Sequence, residues 1–124
     1  DDKMDDTRVW NFEESLWRAS EGRYHDRVDP ECVMALSHAP YLFHGEAAVE
    51  AVTGTPEWDE VTFSNRHISR PQEGLIVVGY EVAANKGDTT FTAACTSVYR
   101  QKAHEDWTVV QHAQVVQGHG EQAK

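Results

Sequence analysis

Two long runs rich in β-branched and aromatic residues close the chain: TTFTAACTSVYRQ (Thr89 to Gln101) and WTVVQHAQVVQ (Trp107 to Gln117), separated by a short polar break. Such a pair reads as an antiparallel hairpin. Ahead of it, from Thr7 to about Tyr24, Val9, Trp10, Phe12, Leu16, Trp17 and Ala19 recur at helical spacing with Glu13, Glu14, Arg18 and Glu21 between them. Asp6 or Thr7 can cap that helix and Gly22 can stop it. Helix first and long hairpins last is an α+β plan, in which a sheet curls around a helix and leaves a pocket between them.

The middle of the chain fills in this plan. Val28-Asp29-Pro30 reads as a turn, because proline biases its predecessor away from helix, and a strand is expected to enter near Cys32. Tyr41 to Gly45 is a short extended piece, and Glu46 to Val52 is a short helix with small packing residues. Val61 to Arg70 and Leu75 to Ala84 are β-rich, split by Pro71-Gln72-Glu73-Gly74, with Asn85-Lys86-Gly87-Asp88 as a second turn. Leu75-Ile76-Val77-Val78 and Val109-Val110 are apolar on both faces, so the sheet needs a cover on each side. The helices supply one cover. A second copy of the same sheet supplies the other most economically, which predicts a homodimer through the outer sheet face.

Charge and cysteine content narrow the partners. The 124 residues carry Lys+Arg 11 against Asp+Glu 21, a formal net charge of -10, which excludes nucleic acid and anionic membrane as partners. No apolar stretch approaches the ~20 residues of a membrane span. Cys32 and Cys95 have no metal-ligand spacing and read as reduced, buried thiols of a cytoplasmic protein. DDKMDD lacks the apolar core of a signal peptide; Asp1, Asp2 and Lys3 look like a tag remnant. One domain is expected over residues 4–117, followed by a tail over 118–124.

Glu13-Glu14-Ser15-Leu16-Trp17 with Gly22, the segment YLFHGEAAVEAV, Trp58 ahead of a strand and the ending CTSVYR…W…QHAQ together resemble the nuclear transport factor 2-like superfamily. Within it the chain is similar to small SnoaL-like single-domain members. The resemblance spans Trp10 to Gln114 and implies a cone-shaped, cystatin-like α+β fold. In that fold a curved antiparallel sheet wraps around an N-terminal helix, the protein is usually dimeric, and a cavity lies inside the cone. The superfamily includes ketosteroid isomerases, polyketide cyclases, scytalone dehydratase and limonene epoxide hydrolase, so the fold does not name a reaction. The isomerase pattern places a tyrosine in the first helix and an acidic base on the strand before the helix that here starts near Glu46. This chain has Ser15 or a neighbour at the first place and Tyr41, Leu42, Phe43 and His44 around the second. With no carboxylate there, ketosteroid-type isomerisation is not expected.

The closing hairpin carries the candidate chemistry. If Ser97 pairs with Val110, then Cys95, Ser97 and Tyr99 share a face with Thr108, His112 and Gln114, and Cys95 lies opposite His112. His112, Ser97 and Tyr99 are the candidate catalytic residues: a base near neutral pH, a hydroxyl and a phenol, enough for proton transfer or dehydration on a small carbonyl or polycyclic compound. The competing reading places His112 at the sheet surface or dimer interface and makes the hydroxyls cross-strand hydrogen-bonding partners. Trp58, Tyr80 and Trp10 are candidate ligand-lining residues, with His44 at the cone mouth. The histidines show no HxH, HxxxH or HExxH spacing, so neither a metal nor a cofactor is expected. The two functional readings are a lyase, isomerase or hydrolase acting on a small, largely apolar ligand, and a non-catalytic binding or dimeric assembly module with a vestigial pocket.

Overall fold

The computed structural model describes residues 5–18, 27–53, 58–103 and 106–116. Two helices and six strands follow one another in the order α1 (Asp6–Arg18), β1 (Val28–Ala35), β2 (Leu42–His44), α2 (Glu46–Thr53), β3 (Glu60–Gln72), β4 (Leu75–Lys86), β5 (Thr89–Ala103) and β6 (Asp106–Val116). The strands form one curved, unclosed sheet in the order β2-β1-β6-β5-β4-β3, antiparallel throughout except that β1 runs parallel to β6. The architecture is α+β, as the resemblance implies. No helix among the described residues is long and apolar enough to cross a membrane.

The cap of α1 is Asp5, one residue ahead of the expected Asp6 or Thr7. The Asp5 carboxylate accepts the Arg8 N–H at 2.9 Å, satisfying one of the donors that a helix N-terminus leaves free. Its buried face is Val9, Glu13, Leu16 and Trp17, a stripe at i, i+4, i+7 and i+8. The expected continuation to Tyr24 and the stop at Gly22 lie outside the described residues, as do the residues read as tag and tail.

Alternation along the strands builds the core. On β4, Ile76, Val78, Tyr80 and Val82 are buried while their neighbours are half-buried; on β5 the buried set is Ala93, Cys95, Ser97 and Tyr99. Pairing aligns these positions into rows across the inner face, and one row runs Ile68, Val78, Ser97, His112, Met34. The outer face carries parallel rows, Ser69-Val77-Val98-Gln111-Val33 and His67-Gly79-Thr96-Ala113-Ala35.

Two irregularities correct the sequence reading. Val28-Asp29-Pro30 is not a turn before the strand but its first part. The β1–β6 register breaks between Val28 and Val33, where the Asp29 carboxylate accepts the Glu31 N–H at 2.9 Å. In β6 one residue, Val110, is extra: Val98 pairs with Gln111 but Tyr99 with Val109.

Candidate functional site

The feature that organises the interior is a carboxylate read at the sequence level as part of the solvated helix face. Glu13 is fully buried beneath α1. Its Oε1 accepts the Tyr99 hydroxyl, and its Oε2 accepts both the Tyr80 hydroxyl and, at 2.7 Å, that of Ser97. These donors come from β4 and β5, so a single side chain ties the helix to two central strands. The Trp17 indole N–H in turn donates to the Tyr80 oxygen at 2.9 Å. The sequence signal was present: Glu13 stands four residues after Val9 and four before Trp17, inside the apolar stripe rather than beside it.

His112 joins this cluster from β6. Its Nδ1 lies 2.7 Å from Ser97 Oγ and 3.6 Å from Glu13 Oε2, and its Nε2 lies 3.2 Å from the Gln114 amide nitrogen. The expected hairpin register is off by two residues, since Ser97 pairs with His112 and Cys95 with Gln114. An even slip preserves the face, so His112 and Ser97 meet although the assumed partners differ. Thr108 leaves the set, because the extra residue at Val110 puts Val109 on the Tyr99 side. Thr108 instead donates at 2.8 Å to buried Asp29, which also accepts the Arg100 guanidinium at 2.9 Å.

Burial and charge tune these groups. Burial, reinforced by the Glu13 charge, holds the Tyr80 and Tyr99 phenols well above their ordinary range. Burial pushes the Cys95 thiol up to about 12, with the Glu13 charge adding to it and a hydrogen bond to Tyr80 opposing. The two cysteines are free and buried, and Cys95 has no thiolate character for nucleophilic attack. For His112, burial lowers the imidazole below its usual 6.5 and outweighs the opposing pull of Glu13, leaving a neutral ring at pH 7.

A cavity of about 440 Å³ opens beside this cluster, within the range of ordinary small-molecule sites. His112 and Gln114 lie at its buried end with Leu16, Trp17 and Met34; Leu36, Val52, Trp58 and Phe91 form apolar walls; and Ser37, His38 and Glu50 stand where it meets solvent. Trp58, Phe91, Trp17 and His112 follow one another along one wall, with successive ring centroids 6.0, 5.8 and 6.2 Å apart.

The remaining candidates are placed differently. Trp58 lines the cavity; its indole N–H is buried and unpartnered among the described residues, so it offers the cavity no donor. Tyr80 and Tyr99 lie beneath, in the Glu13 cluster, and neither lines the cavity. Trp10 packs on Phe63 and Tyr80 with the Arg66 guanidinium over its ring, away from the cavity. His44 is exposed on β2 and outside the lining, a position taken by His38. Ser15, considered for the helix tyrosine position, bonds to the Phe12 carbonyl and to Arg27.

The fold this geometry defines is the nuclear transport factor 2-like one. A candidate ketosteroid isomerase from Parabacteroides distasonis superposes with a TM-score of 0.76 at 14% identity, over 89% of this chain and 86% of that one. A nuclear transport factor 2-like protein from Cytophaga hutchinsonii gives 0.69 at 14% identity, over 92% and 100%. The CaMKII hub homology domain of Chlamydomonas reinhardtii gives 0.67 at 16% identity, over 90% and 95%. No family model and no curated protein matches the sequence.

Proposed function

We propose that this protein binds a small, largely apolar molecule in the cone cavity and moves a proton to or from it with His112, in a lyase, isomerase or hydrolase reaction on a carbonyl or polycyclic compound. The observation that carries this reading is the placement of one neutral imidazole at the buried end of an otherwise apolar cavity, its far nitrogen tied through Ser97 to Glu13. A proton arriving on the ring creates an imidazolium 3.6 Å from Glu13 Oε2, which stabilises it. Ser97 holds the ring in place, and Tyr99 acts from beneath by holding Glu13. Deuterium wash-in tests the reading: with 2-tetralone in D2O, the wild-type protein is expected to accelerate exchange next to the carbonyl and His112→Gln to abolish the acceleration. Exchange no faster than in an equimolar imidazole solution would count against it.

The outer sheet face supports an assembly role as a second reading. Its two central rows and the adjoining Ser64-Glu81-Ala94-Val115 row hold Glu81 as their single charged residue, on a chain whose net charge is -10. Val33 is 43% and Val115 68% exposed there. A second copy of the chain meets little like-charge repulsion on this face, and a dimer is the occupant we propose. Light scattering at micromolar concentration checks this, and a monomeric mass would refute it.

A further inference from the structure

The hydrogen-bond partners around His112 fix where its protons sit, and that arrangement bears on the class of ligand, an argument that rests on the cavity reading above. Trp17 N–H can only donate, so the Tyr80 oxygen accepts there and its single hydrogen goes to Glu13. Ser97 likewise has one hydrogen, directed to Glu13 Oε2 at 2.7 Å. Its oxygen is then left to accept from His112 Nδ1–H at 2.7 Å. The neutral ring therefore keeps its lone pair on Nε2, and the Gln114 amide nitrogen, 3.2 Å away, donates to it. What the buried end of the cavity presents to a ligand is consequently acceptor capacity: the Gln114 carbonyl oxygen directly, and the Nε2 lone pair when a ligand donor displaces the Gln114 N–H.

Charge points the same way. No lysine or arginine is among the described residues lining the cavity, whereas Glu50 stands at its mouth and Glu13 lies directly behind His112. A carboxylate or phosphate entering would lose its hydration and find no cation to replace it. We infer that the cavity selects an apolar ligand ending in a hydrogen-bond donor, a hydroxyl or an amine, neutral or cationic, and rejects anions of the same shape.

A matched series on one skeleton tests this by calorimetry: naphthalene, 2-naphthol, 2-(aminomethyl)naphthalene and 2-naphthoate. The naphthol and the amine are expected to bind at least about tenfold more tightly than the naphthoate, and more tightly than naphthalene, a tenfold ratio being about 1.4 kcal/mol. In His112→Leu, checked for folding by circular dichroism, the advantage of naphthol over naphthalene disappears. ¹⁵N NMR of the free protein is expected to show His112 protonated on Nδ1, with Ser97→Ala mixing the tautomers. Naphthalene binding without any gain for naphthol, tighter binding of the naphthoate, or protonation on Nε2 in the wild type would overturn the inference while leaving an apolar cavity intact. If no member of the series binds, the cavity reading falls and the inference falls with it.

Discussion

The Glu13 cluster makes a prediction about sign rather than size. Tyr99 is fully buried, and its hydroxyl donates to Glu13 Oε1. In the wild type, Tyr99→Phe deletes a hydrogen bond to a charged acceptor, a loss of ~1.5–3 kcal/mol. In a Glu13→Leu background the same hydroxyl has lost its acceptor and cannot reach water, a burden of ~1–3 kcal/mol that Tyr99→Phe removes. The substitution should therefore destabilise the wild type and stabilise the Glu13→Leu variant, a coupling of at least ~2 kcal/mol. Desolvation of the carboxylate cancels in the comparison, because each step changes only Tyr99. Ser97 does not interfere either, since its hydroxyl has lost Glu13 equally in both members of that background, with and without the Tyr99 hydroxyl. Urea denaturation of the four proteins at pH 7, with equal m-values, measures the cycle. Equal destabilisation by Tyr99→Phe in both backgrounds would show that the phenol contributes by packing alone, and the carboxylate would lose its organising role.

Other expectations follow from the same structure. The folded-state pKa of His112 is lowered from 6.5, so its contribution to stability is fully present above that pH and is lost as pH falls through the folded value; melting temperatures against pH for wild type and His112→Gln should diverge on the acid side only. For Asp29, burial pushes the carboxyl up, but bonds from Arg100, the Glu31 N–H and Thr108 together outweigh it and leave the pKa below 3.8. Its contribution persists above that pH and is lost as pH falls through the folded value, and Asp29→Ala should cost ~1–3 kcal/mol at pH 7 by chemical denaturation, since the buried Thr108 hydroxyl loses its acceptor while the half-exposed Arg100 turns to water. Both thiols, pushed up to about 12 chiefly by burial, should resist Ellman's reagent in the native protein and react on unfolding; prompt native reaction of either would contradict their burial. Gly87 has φ +58 with nothing within 4 Å of an added Cβ, so Gly87→Ala should cost ~1 kcal/mol through backbone strain alone, measured by thermal melting.

The sequence revealed the elements more readily than the contacts between them. Runs rich in β-branched and aromatic residues between turn signals identified all four long strands, and the glycines at 74 and 87, both with positive φ, marked the turns. His112 and Ser97 were found because face membership survives an even register error. Thr108 was misplaced because a bulge changes parity and leaves no signature in a run of β-branched residues. Glu13 was missed for a chemical reason: a glutamate in an amphipathic helix is ordinarily solvated, and only the hydroxyls of Tyr80, Ser97 and Tyr99, arriving from distant strands, make its burial tolerable. Trp10 and Tyr80 were read as ligand-lining on size and aromaticity, which core packing satisfies equally well.

The extra residue at Val110 joins two regions that otherwise have nothing in common. On one side of it β6 presents His112 to the cavity; on the other it presents Thr108 to the Asp29 clasp, on the opposite side of the sheet. Deleting that residue would leave Val109 opposite Tyr99 and Thr108 opposite Arg100, so both faces would be kept and what would change is the local bend and twist that the extra residue gives β6 between the clasp and the cavity. The extra residue thus sets how the two ends of β6 are aimed relative to one another rather than which side chains face the cavity. A library that varies the cavity can therefore use position 110 to re-aim His112 against the clasp without exchanging the two faces of β6.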